Sequence, residues 1–301
     1  MTGARSPSLL RSESPSKLAA GRVISGTVAL LLAVFKSTHG LAAAGGNCAD
    51  RSVPPGATAA GLTKRVVNEC PDGAAVSPTG AGMFPFYSGQ WYYKAPSDDH
   101  YTSVDGALAV KLGGDISSVR HDLSPGLIPT LSGSDGFYVS FTVRLSDNDP
   151  DHWPALWMMP VEHDGARSDR YGDLPPELER WMELDIDEGG FGPGLTGTVH
   201  DWSGTPPHNH RNSQNRNNVS RDRVDRASVH EFAASVDAQK GEVKWWLDGK
   251  EKMAAPCPRI GARQHFYLIV SAKSHGRNKD YSLILYRVRA FVPQTSVLPQ
   301  K

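Results

Sequence analysis

Phe137-Tyr138-Val139-Ser140-Phe141-Thr142-Val143-Arg144-Leu145 alternates cleanly: every odd position is apolar and the even positions are mainly polar. Successive side chains of an extended chain point to opposite faces, so the run predicts a strand with one buried face. Around it, short β-prone runs recur between turn signals at residues 89–93, 107–112, 136–145, 181–187, 197–202, 232–236, 243–247, 266–272 and 283–291. Lys244-Trp245-Trp246-Leu247-Asp248-Gly249-Lys250 reads as a strand turning through Asp-Gly, a strong hairpin signal. Thirty Gly and 22 Pro supply the turns, and no long stretch carries helical periodicity. The pattern predicts an all-β chain, an antiparallel β-sandwich or jelly roll.

The chain has 301 residues, a length that all-β domains can fill as one unit. Its 32 Lys and Arg balance 32 Asp and Glu, so no overall field draws it to nucleic acid or an anionic membrane. At 39% hydrophobic and 21% charged, it can bury a sizeable core.

Residues 1–22 carry Arg5, Arg11, Lys17 and Arg22 against Glu13, and an apolar run over 23–35 follows and ends at Lys36. That run is shorter than the ~20 residues of a membrane-spanning helix. Ala42-Ala43-Ala44 offers an Ala-x-Ala site, so the expectation is a signal peptide over 1–44 and a secreted or periplasmic protein without an integral membrane domain. Residues 45–82, rich in Ala, Gly and Pro, read as a flexible, exposed leader with room for one short element. The packed domain then spans 83–301. Three cysteines, Cys48, Cys70 and Cys257, allow at most one internal disulfide, with Cys48 and Cys70 the candidate pair.

The chemistry is concentrated in Trp181-Met182-Glu183-Leu184-Asp185-Ile186-Asp187-Glu188-Gly189-Gly190. On a regular strand Glu183, Asp185 and Asp187 share one face while Met182, Leu184 and Ile186 face the core. Like charges on one face raise the cost of ionising each other, which marks a cleft where charge is used. A β-bulge after Asp185 would push Asp187 aside and bring Glu188 onto that face. Either acid then completes the pair of carboxylates that retaining glycoside hydrolysis requires.

The segment resembles the Glu-x-Asp-x-x-Glu signature of glycoside hydrolase family 16, the laminarinase, lichenase and agarase group of endo-β-glycanases. Trp153-Pro154-Ala155-Leu156-Trp157-Met158-Met159-Pro160 resembles the family strand that precedes it, Thr198-Val199-His200 the strand that follows, and residues 243–250 a later hairpin. Residues 266–270 and 285–291 are similar to the family's late strands, so the likeness runs over about 137–293 in family order. Two stretches depart from the pattern: the long connection 161–180, and Ser271-Ala272-Lys273-Ser274-His275-Gly276, which lacks the usual Gly-Gly pair.

The resemblance implies a jelly roll of the concanavalin A-like lectin/glucanase type and a retaining endo-β-glycanase acting on a polymeric β-glucan or bacterial exopolysaccharide. It implies Glu183 as an ionised nucleophile, Glu188 as general acid/base and Asp185 as the residue that orients Glu183. Transglycosylation, or carbohydrate binding alone, is the alternative on the same sandwich. Catalysis would need no cofactor; a structural calcium ion occurs in some relatives. Trp153 and Trp157, four apart on one strand face, are candidate sugar platforms, with Trp202 and Trp91 behind them. His200 is expected to face the acids and donate to Glu188 or to sugar. Residues 205–226 form a polar basic loop in which His208-x-His210 lacks a third metal ligand, so no metal site is assigned. The loop reads as solvated, with contact to an acidic polysaccharide the alternative, and Asn218-Val219-Ser220 is a glycosylation sequon in a eukaryotic secretory context.

Overall fold

The computed structural model describes residues 48–89, 98–163, 169–173, 178–205, 208–214 and 220–296. The signal segment, Trp91 and Asn218 lie outside them. Among the described residues no helix is long and apolar enough to cross a membrane.

One short helix, α1 (Pro55–Ala59), precedes β1 (Lys64–Glu69), β2 (Val76–Ser77), β3 (Phe86–Ser88), β4 (Tyr101–Val104), β5 (Ala107–Lys111) and β6 (Asp115–Ser117). Then come β7 (Leu131–Ser132), β8 (Phe137–Leu145), β9 (His152–Pro160), β10 (Glu179–Glu188), β11 (Thr198–Thr205) and β12 (His208–Gln214). The chain ends with β13 (His230–Asp237), β14 (Glu242–Leu247), β15 (Lys250–Pro256), β16 (His265–Ser274) and β17 (Ser282–Val292). One sheet runs β15-β14-β13-β8-β17-β5-β4, with β1 also paired to β17. The other runs β12-β11-β10-β9-β16-β6-β3-β2, with β7 on β16. All pairings are antiparallel except β2 with β3. The chain is the antiparallel β-sandwich that the alternation predicts.

The core lies between the sheets. Phe137, Val139, Phe141 and Val143 of β8 share one apolar cluster with Met182, Leu184 and Ile186 of β10 and Leu268 and Val270 of β16. Each such fully buried side chain contributes on the order of 1.5–3 kcal/mol of hydrophobic stabilisation. Packing the inner side of β10 this way directs Glu183 and Asp185 to the outer face of its sheet.

Three sequence expectations need correcting. β8 is buried on both faces over most of its length, because Tyr138 also packs, with Trp246, Phe291, Ala57 and Leu62, in a second apolar cluster under α1. The helix sits so close that a Cβ on Gly56 would stand 2.9 Å from the Trp246 and Tyr138 rings. Residues 48–82 are therefore part of the packed body: β1 pairs with β17 from Lys64↔Val292 to Glu69↔Val288, and Cys48 is disulfide-bonded to Cys70. Within Lys64-Arg65-Val66-Val67-Asn68-Glu69 only Val67 is buried, which left the strand without alternation to read. Finally, residues 208–214, expected in a basic loop, form β12 on the edge of the second sheet.

Candidate active site

β10 carries the acids, and its two neighbours set their register. β11 places Trp202 opposite Trp181, His200 opposite Glu183 and Thr198 opposite Asp185. β9 places Trp157 opposite Asp185, and there the ladder slips: the next partners are Asp187 with Leu156 and Glu188 with Ala155. Ile186 is the extra residue of a β-bulge, and the side-chain alternation reverses across it. Trp245, reaching from the facing sheet, donates its Nε1–H to the Asp185 carbonyl at 2.8 Å. That reach requires Gly197, where a Cβ would lie 2.1 Å from the same nitrogen.

The bulge separates two adjacent carboxylates. Asp187 accepts from Arg226 Nη1 and Nη2 at 2.5 and 2.9 Å and from the Thr196 amide at 3.1 Å. Arg226 in turn lies over the Phe232 ring. Glu188 instead accepts from Trp153 Nε1 at 3.2 Å and from Thr198 Oγ1 at 3.3 Å. It lines a cavity of about 510 Å³ with Glu183, Asp185, Trp153, Ala155, Trp157, Ser271, Lys273 and Ser274, together with Leu112, Gly113 and Asn278. Of the two acids in question, Glu188 is the one that joins Glu183 and Asp185 at the cavity.

Glu183 accepts a hydrogen bond from Trp202 Nε1 at 2.7 Å, and His200 Nε2 lies 2.9 Å from Asp185 Oδ2. Burial, and then the neighbouring charge of Asp185, push the Glu183 carboxyl up to about 8; His200 and the Trp202 hydrogen bond oppose the rise. The sequence reading has Glu183 ionised. In the folded chain burial first, and the Asp185 charge second, favour its protonated form.

Of the expected sugar-binding residues, Trp153 and Trp157 line the cavity, but neither ring is bare. The Trp153 indole is stacked on His275 with centroids 5.2 Å apart and meets Phe191 edge-on, and Trp157 Nε1 donates to Ser271 Oγ at 3.0 Å. His200 and Trp202 stand beside the acids and are not among the residues that line this cavity: His200 meets Asp185, and Trp202 donates to Glu183. Both belong to a ladder of near-parallel rings, His163 on Trp181, Trp181 on Trp202 and Trp202 on His200. The cause is the register, which puts the cross-strand partners of β10 beside the acids.

Sequence reasoning missed Thr198, Arg226 and Trp245, which hold the bulge and its two acids. It also missed Lys273, which lines the cavity and is ion-paired with Asp115. The departure at 271–276 was a usable signal, since Ser271, Lys273 and Ser274 are the part of that stretch that faces the cavity. Glu183, Asp185 and His200 also bring one potential metal-ligand atom each within 4.8 Å of one another.

No family model and no curated protein matches this chain. Among solved structures it is similar to a β-porphyranase from the human gut bacterium Bacteroides plebeius, at 15% identity and a TM-score of 0.49, over 75% of this chain and 94% of that one. It is similar to the laminarinase from Rhodothermus marinus at 17% identity and a TM-score of 0.44, over 76% and 97% of the two chains. An endo-β-1,3-glucanase from Pyrococcus furiosus gives 14% identity and a TM-score of 0.43, over 65% and 78%.

Proposed function

We propose that the protein is a retaining glycoside hydrolase that cleaves within a polymeric glycan, with Glu183 as nucleophile and Glu188 as general acid/base. The observation that carries this reading is the bulge: it brings Glu183 and Glu188 to one cavity and ties the intervening Asp187 to Arg226. In the first step the Glu183 carboxylate attacks the anomeric carbon as the bond to the departing sugar breaks, and the Glu188 proton passes to the departing oxygen. In the second, water gives a proton to Glu188 and displaces the sugar from Glu183.

The pair begins with one proton. On Glu183 it idles both groups; on Glu188 it arms both. Trp202 and His200 favour the ionised form of Glu183 and so favour the armed arrangement. Asp185 acts on Glu183 through its charge, and its bond to His200 fixes its own orientation. The same two carboxylates serve transfer to a second sugar when that sugar takes the place of water.

Purified chain is incubated with β-1,3-, mixed-linkage and acidic bacterial glycans, and reducing ends are counted. Release is expected on at least one polymer. Glu183→Gln should lower kcat by at least about 10³-fold, and Glu188→Gln by about 10²–10⁴-fold. Lengthened products without net release would assign transfer, and full activity in either variant would sink the reading.

A further inference from the structure

We infer that His163, Asp169 and Glu179 form a binding site for one divalent transition-metal ion of the zinc class. The three bring one ligand atom each within 4.8 Å of one another, and none of them lines the cavity described above. The inference is thus independent of the glycan-cleaving reading.

The side chains of Asp169 and Glu179 are both fully buried, and that of His163 is 14% exposed. His163 Nδ1 lies 2.6 Å from Asp169 Oδ2, but the other oxygen of Asp169 is buried and receives no hydrogen bond in the structure. A fully buried carboxylate with one bare oxygen is costly unless a cation or donor meets it. Arg170 is ion-paired with Glu179 at 3.4 Å, and its side chain is 46% exposed. A simple clip, in which Asp169 orients His163 against the Trp181 ring, accounts for the 2.6 Å contact but not for the bare oxygen of Asp169.

One divalent ion meets the bare oxygen of Asp169 and uses the three side chains gathered around it. Bonds of about 2.0–2.2 Å place tetrahedral ligands roughly 3–3.5 Å apart, so small rotations of the two carboxyl groups bring the cluster onto one ion. Imidazole with two carboxylates suits zinc and its neighbours, whereas calcium and magnesium take all-oxygen sets. Binding would hold the turn at His163 and residues 169–170 against the start of β10, and with them the outer end of the ring ladder that finishes at Glu183 and Asp185.

The test uses the full chain, stripped with a chelator and titrated calorimetrically with zinc chloride alone, with thermal unfolding followed in parallel. One equivalent of zinc is expected, with a rise in the unfolding midpoint and no comparable uptake of calcium. His163→Gln, at a partly exposed turn and so expected to fold, should weaken binding at least tenfold, and Asp169→Asn should do the same. His200→Gln should leave the equivalent in place, which separates this cluster from the one at Glu183 and Asp185. No uptake, equal uptake of calcium, or binding that survives His163→Gln and is lost with His200→Gln would overturn the assignment.

Discussion

Just past the bulge in β10, successive carboxylates are buried to similar degrees and held in opposite ways. Asp187, 1% exposed, is met by a guanidinium; Glu188, 9% exposed, is met by two neutral donors, an indole N–H and a hydroxyl. A guanidinium meets a carboxylate charge to charge, whereas an indole N–H and a hydroxyl bring hydrogen bonds without a charge of their own. The first arrangement holds structure and the second permits chemistry.

The largest effect should come from breaking the charged side. Arg226→Ala leaves Asp187 buried without its cation and should cost about 3–5 kcal/mol in urea unfolding at pH 7, whereas Glu188→Gln should alter stability by no more than about 1 kcal/mol. Comparable losses in the two variants would erase the distinction.

A second effect follows from Glu183. Folded, it keeps its proton up to about pH 8; unfolded, it releases it near its ordinary value of 4.5. The stability it contributes is complete below the unfolded value and is lost as pH rises through the folded one. The wild-type melting temperature should therefore fall between about pH 5 and pH 8, and Glu183→Gln should flatten that slope and melt several degrees higher at pH 8. Parallel melting profiles for the two proteins would show that the carboxyl is not held protonated.

The smallest effect sharpens the picture on the catalytic side. Asp185→Asn removes one charge that raises the Glu183 carboxyl. The acidic limb of the kcat/KM profile should move down by about one pH unit, with the alkaline limb little changed. An unmoved acidic limb would mean that burial alone sets the Glu183 value.

The strands with alternating or acidic signatures were legible because local pattern and final environment agree. Phe137 to Leu145 alternates since one of its faces always meets the core, and of the two readings open for β10, regular or bulged after Asp185, the register shows the bulged one. What stayed hidden depends on partners far along the chain. Trp245 reaches the Asp185 carbonyl from 60 residues away, Arg226 meets Asp187 across 39, and α1 covers Tyr138 through contacts no local window contains. Periodicity put His200 on the face of the acids, but its bond to Asp185 and that of Trp202 to Glu183 run diagonally across the β10–β11 pair, where no local pattern shows them.

β1 lies along β17, so the earliest strand of this sandwich is completed by the latest. Lys64 waits for Val292, and everything between must be synthesised before that edge can close. Segments made first can collapse but cannot seal, and losing β17 would open its borders with β1, β5 and β8 at once. The sandwich is thereby committed to folding as a whole chain, with its beginning pinned by a Cys48–Cys70 clasp while it awaits its end.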